Sequence, residues 1–178
     1  MHRLIRFNVG QPSRILSKSA RSGLQPGTSV LSIDCRIAKG QPFALGSSCR
    51  LYRVDAASGT AVAVGAPIAM TFSGDKFGVD FNPTAERLRV VSSTGLNLRL
   101  HTDTRAMVDG NLALDGVQPN ATLADVAGDP NTGWLRTVGA LGASASRCVE
   151  IDLRSGAAKS LGTIIGGGAA VRSAAIEP

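Results

Sequence analysis

Residues 54–59 read Val-Asp-Ala-Ala-Ser-Gly, and residues 151–156 read Ile-Asp-Leu-Arg-Ser-Gly. Both segments follow the pattern apolar-Asp-x-x-Ser-Gly, and an apolar residue followed by glycine comes at the same distance after each. The Asp side chain accepts backbone N–H bonds within a turn, and Gly adopts the positive φ that the turn needs. The repeated segment therefore predicts two β-hairpins at equivalent positions of two repeats.

A second echo marks where the repeats begin. The segment 33–37 is similar to 79–83, which starts about 46 residues later, and 127–130 is a weaker third copy. Each copy is followed by a run that is typical of a β-strand; these runs are 42–45, 88–91 and 134–138. A period near 46 residues is typical of four-stranded propeller blades.

These patterns predict an all-β fold, a propeller-like array of short antiparallel blades. In residues 96–101 the leucines alternate with Asn97, Arg99 and His101, as in a strand with one buried face. The chain of 178 residues holds at most about four blades of this period. We therefore expect a single β-repeat domain, residues 1–178, whose array is small or incompletely closed.

Positive charge is concentrated near the start of the chain. The net charge is +6, yet residues 1–53 hold nine Lys or Arg and one acidic residue. A basic lobe of this kind can attract nucleic acid, anionic glycans or an acidic lipid surface. Nucleic-acid binding is disfavoured because aromatic stacking platforms are few and no groove-reading helix is evident.

Several other classes are also disfavoured. No apolar run approaches the ~20 residues of a membrane-spanning helix. Polar residues at positions 8, 10, 11 and 14 interrupt any signal-peptide core, so we expect a cytoplasmic chain or an export signal outside this sequence. The three cysteines, an odd number, predict buried thiols rather than a disulfide framework, although Cys35 and Cys49 flank one hairpin and could pair.

Catalytic motifs are not found in the sequence. It has no nucleophile elbow, zinc-protease motif or phosphate-binding loop, and it holds only two histidines and three glutamates. No cysteine pair has zinc-site spacing. We predict no catalytic residue, no metal and no cofactor, and keep a hydrolase-like enzyme acting on an anionic or glycan substrate as an alternative.

The best candidate site is the polar face of the central repeat. Arg87 and Arg89 share one strand face, and Asn97 and Arg99 share a face of the next strand. If these strands pair, the residues converge near Asp80 and Asn82. Three guanidiniums and an amide could then hold a carboxylate, phosphate or sulfate.

Three functions follow from these features. The first is a non-catalytic binding or interaction module that uses this arginine face, with an anionic small molecule or a protein as partner. The second is the enzyme just described. The third is a polyanion or nucleic-acid binder that acts through the basic N-terminal third. A structural alternative for the face is that Asp80 and Glu86 neutralise the arginines and fix one blade to the next.

Residues 77–84, 87–92 and 94–99 resemble the hallmark of an uncharacterised bacterial family, the domain of unknown function numbered 4394. Residues 43–52 resemble its preceding repeat, and 162–176 resemble its C-terminal end. The resemblance implies an extracytoplasmic, propeller-like β domain and implies no activity.

The chain departs from the family pattern at several positions. Cys35 and Ile37 stand where the neighbouring repeat has Phe81 and Pro83, and Arg105 replaces an expected turn glycine. The segments 116–139 and 142–149 are shorter than the pattern, by about one blade in total. These departures bear on whether the array closes.

Overall fold

The structure, a computed structural model, describes residues 3–82, 86–109, 125–126, 132–138, 146–152, 154–164, 171 and 173–175. Within them the regular structure is β-strand, apart from one 3-10 turn at Ile37–Lys39. The strands, in chain order, are β1 Arg3–Asn8, β2 Gln11–Ala20, β3 Val30–Arg36, β4 Gln41–Gly46, β5 Arg50–Val54, β6 Ala61–Ala63, β7 Phe77–Asn82, β8 Arg87–Ser92, β9 Asn97–His101, β10 Met107–Asp109, β11 Asp125–Val126, β12 Thr132–Val138, β13 Ser146–Asp152 and β14 Ala158–Ile164. The predicted all-β class is confirmed.

The described strands form one hairpin and three four-stranded sheets. β1 and β2 make the hairpin; β3–β6, β7–β10 and β11–β14 make the first, second and third sheets. Neighbouring strands in each sheet are consecutive in the chain and antiparallel, and none of these sheets closes on itself. This arrangement agrees with an array of short, incompletely closed blades, whereas a propeller ring stays a prediction.

The predicted repeat units fall at equivalent places in these sheets. The openings 33–37 and 79–83 coincide with β3 and β7, the first strands of the first and second sheets. The predicted strand runs lie in the second strand of each sheet, namely in β4, β8 and β12. The third opening, 127–130, lies outside the described residues.

The first sheet is buried on both faces. One face packs on the second sheet, where Phe43 and Phe81 rings lie 5.1 Å apart between centroids. This core also contains the fully buried Leu45, Leu88, Leu98 and Leu100. On the opposite face, Ala44, Tyr52, Val54 and Ala61 form a smaller cluster that includes Leu4 of the hairpin. Alternation in β4, with Phe43 and Leu45 on one side and Ala44 on the other, produces these two cores.

The third sheet also contacts the elements that begin the chain. β14 lies against β2, where the Gly162 backbone faces the Pro12 side chain. Further along, the Val171 N–H donates to the Ser146 hydroxyl at 2.9 Å, and the Ser173 hydroxyl accepts the Ile33 N–H at 3.0 Å. Residues near the C-terminus therefore connect β13 to β3.

The turn after β5 has the geometry that its sequence predicts. One oxygen of the Asp55 carboxylate accepts the N–H groups of Ala57 at 3.1 Å and Ser58 at 2.7 Å. The Gly59 N–H donates to the Asp55 carbonyl at 2.8 Å, and Gly59 has a φ of 76°. The Asp and the Gly thus perform the two roles assigned to them from the sequence.

The turn after β13 repeats this geometry. The Asp152 carboxylate accepts the N–H groups of Arg154 at 2.8 Å and Ser155 at 3.0 Å. The Gly156 N–H donates to the Asp152 carbonyl at 2.8 Å, and Gly156 has a φ of 72°. Both predicted hairpins are confirmed.

The turn after β9 has the same backbone bonds with different residues. The Arg105 N–H donates to the His101 carbonyl at 2.7 Å, as Gly59 does to Asp55. The His101 Nδ1 replaces the carboxylate and accepts the N–H groups of Asp103 at 3.3 Å and Thr104 at 3.4 Å. Arg105 occupies the glycine position with a φ of 61°, a conformation that costs a non-glycine residue about 1–2 kcal/mol.

Candidate functional site

The strand register brings the predicted site residues together on one face of the second sheet. Asp80 of β7 lies directly opposite Arg89 of β8, and Arg89 lies directly opposite Arg99 of β9. Residues directly opposite on one face have Cβ atoms about 5 Å apart. A row of one carboxylate and two guanidiniums therefore crosses three strands.

A second row lies beside the first. Asn82 of β7 is opposite Arg87 of β8, and Arg87 is opposite His101 of β9. Asn97 is two residues from Arg99 on β9 and is opposite Val91 of β8. The six predicted residues thus share one face because the strands alternate with the apolar residues of the core. We name this set the arginine face: Asp80, Asn82, Arg87, Arg89, Asn97 and Arg99.

Burial varies across the arginine face. Asn82 is exposed, whereas Asp80 and the three arginines are half-buried. Asn97 is 5% exposed, more buried than its polar position in the strand pattern suggests. Its side-chain oxygen accepts the Arg89 Nε–H at 3.0 Å, which explains why a buried amide is tolerated there and how the Arg89 guanidinium is oriented.

Glu86 does not neutralise the arginine face, so that part of the structural alternative is wrong. Its carboxylate binds the Arg36 guanidinium, with Arg36 Nε 2.8 Å from Oε2. Arg87 Nη1 donates to the Glu86 carbonyl at 3.2 Å, not to its carboxylate. With three arginines and one aspartate, the arginine face keeps a formal charge of +2.

The buried Arg36 guanidinium forms an ion cluster with Glu86 and Asp103 between the first and second sheets. Its Nη1 lies 2.9 Å from Oδ1 of Asp103, and its side chain is 8% exposed, compared with 38% for Glu86 and 61% for Asp103. Burial acts to lower the pKa of Arg36, but the hydrogen bonds that Arg36 donates to Glu86 and Asp103, together with their negative charge, outweigh burial and raise that pKa. The cluster therefore holds one fixed cation at the sheet interface.

Asp34 makes a further link that sequence reasoning did not single out. Its carboxylate, in β3 of the first sheet, accepts the N–H of Phe81 in β7 of the second sheet at 2.6 Å. Asp34 is 3% exposed, so this bond is buried. The similarity of residues 33–37 to 79–83, which aligns Asp34 with Asp80, is the sequence signal that could have identified Asp34 as important. The bond fixes the strand that carries Asp80 and Asn82.

Four described aspartates have pKa values below the usual range, which favours their anionic form. Hydrogen bonds from Ser58 hold the pKa of Asp55 below its usual range, and those from Ser155 do the same for Asp152. The Ser93 hydroxyl lowers the pKa of Asp75, and Arg36 lowers that of Asp103. A general acid needs a raised pKa, so these four carboxyls are poorly suited to that role.

The basic residues near the start of the chain lie in different environments. Arg36 is buried in the ion cluster, Arg21 donates to the Thr28 carbonyl at 2.9 Å, and Arg50 donates to the Gly65 carbonyl at 2.9 Å. Arg14 and Lys18 of β2 are exposed. The basic third is thus divided among separate environments.

The described part of the chain contains neither a metal-binding cluster nor a membrane-spanning helix. It holds no group of three His, Cys, Asp or Glu residues that could bind a metal ion. None of its helical segments is long and apolar enough to cross a membrane. Cys35 and Cys148 are buried, Cys49 is half-buried, and all three are thiols rather than disulfides, as predicted.

The fold and the arginine face define a small all-β protein made of open antiparallel sheets. Residues 3–128 match the family described as Domain of unknown function (DUF4394). This match covers more than half of the chain, so the chain belongs to that family, as the resemblance implied. No curated protein matches it. The likeness of residues 162–176 to the family's C-terminal end, and the shortened segments, lie wholly or partly beyond residue 128 and stay predictions.

Proposed function

We propose that the chain is a non-catalytic binding module that holds an anionic group on the arginine face. The observation that carries the proposal is the placement of Arg89 directly opposite Arg99 on one face of the second sheet. Like charges directly opposite one another destabilise a pair of strands. An anion placed between the two guanidiniums would offset part of their mutual repulsion and would accept charge-assisted hydrogen bonds from both.

The surroundings of the two arginines support this role. Asn97 orients Arg89 through the bond from Nε, so the outer nitrogens of the guanidinium keep a fixed direction. Glu86, the nearest glutamate in sequence, is bound to Arg36 and leaves the face positively charged. A planar guanidinium suits carboxylate and phosphate oxygens, which it can bind through two parallel bonds.

The ligand class follows from this geometry. Arg87, Arg89 and Arg99 lie on two neighbouring strands, so a group with several oxygens can contact more than one guanidinium. Phosphate, sulfate and carboxylate groups all meet this requirement. The same chemistry on a protein partner would be an acidic side chain or a phosphorylated one.

Calorimetric titration with inorganic phosphate, sulfate and succinate tests the proposal. We expect Arg89→Gln to weaken binding of the preferred probe about tenfold or more, since a hydrogen bond to a charged group contributes about 1.5–3 kcal/mol. Arg14→Gln, a change at an exposed arginine on β2, is the matched control and should leave the affinity unchanged. Equal affinity of the Arg89→Gln variant and the unaltered chain would reject the arginine face as the site.

The two other functions receive less support. An enzyme on an anionic or glycan substrate needs a carboxyl with a raised pKa near the arginines, and the shifted aspartates are shifted downwards. A polyanion binder needs a continuous basic surface, and Arg36 of the basic third is buried. Polyanion binding would show itself as affinity for heparin that falls steeply between low and moderate salt.

A further inference from the structure

The turn after β9 places an arginine where its counterparts place a glycine. Gly59 and Gly156 have φ values of 76° and 72°, and Arg105 adopts 61° at the same position. Residues other than glycine rarely adopt a positive φ, and those that do are most often asparagine, aspartate or histidine. Strained backbone of this kind persists where the surroundings hold it, and it is concentrated at functional sites.

The Arg105 side chain reaches the neighbouring sheet. Its guanidinium lies on the backbone of Gly65, the second residue after β6, and fills the space that a Cβ at Gly65 would occupy. Gly65 itself has a φ of 53°. Only glycine at position 65 leaves room for the guanidinium, so the arginine and the glycine fit each other.

A second guanidinium lies at the same residue. Arg50 Nη1 donates to the Gly65 carbonyl at 2.9 Å. Arg105 Nη1 donates to the Asp103 carbonyl at 3.1 Å, and its Nε is buried without a hydrogen-bond partner. Within the described residues, neither arginine lies within ion-pair distance of a carboxylate. Two cations thus converge on one exposed glycine, and no carboxylate in the described part of the chain forms an ion pair with either of them.

The turn sequence also removes negative charge from this region. Asp55 and Asp152 supply a carboxylate to their turns, whereas His101 supplies a ring nitrogen. The Asp103 carboxylate is bound to Arg36 rather than to Arg105. Residues 101–105 thus hold one basic and one acidic side chain, and the acidic one is bound by Arg36.

We infer that Arg50 and Arg105 form a second anion site at Gly65, distinct from the arginine face, that binds an oxyanion such as phosphate, sulfate or a carboxylate. Two guanidiniums provide paired N–H donors to an oxyanion, and Gly65 is exposed, so a small ligand can approach them from the solvent. The ligand bridges the first and second sheets, because Arg50 belongs to β5 and Arg105 follows β9. Neither this site nor its location depends on the arginine face being a binding site.

The test is calorimetric titration of the full chain with inorganic phosphate, sulfate and acetate in chloride buffer at constant ionic strength. We expect saturable binding of at least one probe in the millimolar range or tighter. Arg105→Gly restores the turn glycine, so the variant is expected to fold, and it should weaken that binding about tenfold or more. Arg50→Gln should have a similar effect, and Arg53→Gln, a change at an exposed arginine of the same strand, should have none.

The outcomes separate this site from the arginine face. Loss of binding in Arg105→Gly with normal binding in Arg89→Gln supports the second anion site. The same result would reject the arginine face as the site of binding. Equal affinity of Arg105→Gly and the unaltered chain, binding lost only in Arg89→Gln, or no binding of any probe would each overturn it. Phosphate-dependent chemical-shift changes at the Gly65 amide, absent from Arg105→Gly, would locate the site directly.

Discussion

The turns at 55–60 and 101–106 have the same backbone hydrogen bonds and are built from different residues. In the first, Asp55 and Ser58 bind the turn itself, and Gly59 supplies the positive φ. In the second, a histidine nitrogen replaces the carboxylate, and an arginine adopts the glycine conformation. The sheet can therefore hold this turn without its preferred residues. The side chains of Asp103 and Arg105, which are not needed to bind the turn, then make contacts elsewhere.

These two side chains connect two sheets. Asp103 binds Arg36 at the end of β3, and Arg105 lies on Gly65 after β6. The 55–60 turn instead contacts the hairpin, where the Ser19 hydroxyl donates to the Ala57 carbonyl at 2.9 Å. One turn is therefore held by its own residues, and the other takes part in the interface between the first and second sheets.

The largest expected effect tests the role of Asp103 in that interface. The double variant Glu86→Ala with Asp103→Ala should lower the free energy of unfolding by about 4 kcal/mol, because it leaves the buried Arg36 charge unpaired. Arg36→Met should cost less, about 2 kcal/mol, since water can reach the two remaining carboxylates. Urea unfolding measures both values. A greater loss for Arg36→Met than for the double variant would contradict the assignment of Arg36 as the buried partner.

The next effect distinguishes the 55–60 turn from its copy at 152–157. A Cβ at Gly59 would lie 2.9 Å from the Ser19 Cβ and 3.0 Å from the Ala20 carbonyl oxygen, whereas nothing lies within 4 Å of one at Gly156. Gly59→Ala should cost about 3 kcal/mol, from backbone strain together with crowding. Gly156→Ala should cost about 1 kcal/mol, from strain alone. Equal unfolding midpoints in urea for the two variants would show that Ser19 and Ala20 of the hairpin do not crowd a side chain at position 59.

A smaller effect of opposite sign is expected for Arg105→Gly. In chloride buffer without added oxyanion, removal of the strained arginine should raise the free energy of unfolding by about 1 kcal/mol. Thermal unfolding with and without phosphate measures it, and phosphate should stabilise the unaltered chain more than the variant. A destabilised variant would mean that the contact of Arg105 with Gly65 outweighs the strain.

The smallest expected effect concerns pH. The pKa of Asp55 and that of Asp103 are lowered in the folded chain, so each carboxylate stabilises the fold above the ordinary Asp pKa of about 4. This contribution should be lost as the pH falls below that value through the lowered pKa of each folded group. In the variant Asp55→Asn with Asp103→Asn, stability at neutral pH should be lower and should fall less between pH 5 and pH 3. Parallel curves for the variant and the unaltered chain would exclude these two groups as the cause.

Much of the arginine face could be predicted from sequence. Period-two alternation assigned Arg87 and Arg89 to one side of β8, and Asn97 and Arg99 to one side of β9, and the structure pairs those strands. The burial of Asn97 and its bond to Arg89 could not be read from the pattern, because alternation gives the face of a residue and not what covers it. Neither the sequence nor the structure identifies the ligand of the arginine face, which is a proposal.

The sequence by itself determined the all-β class, the strand runs in β4, β8, β9 and β12 and the two Asp-to-Gly turns, because side-chain alternation and turn chemistry act between residues close in the chain. Only the tertiary structure decided which charges meet. Glu86 pairs with Arg36 across 50 positions, Arg36 reaches Asp103 across 67, and Asp34 binds the Phe81 backbone across 47. These contacts exist because two sheets pack face to face, and no local pattern carries information on how the ends of one sheet align with those of the next.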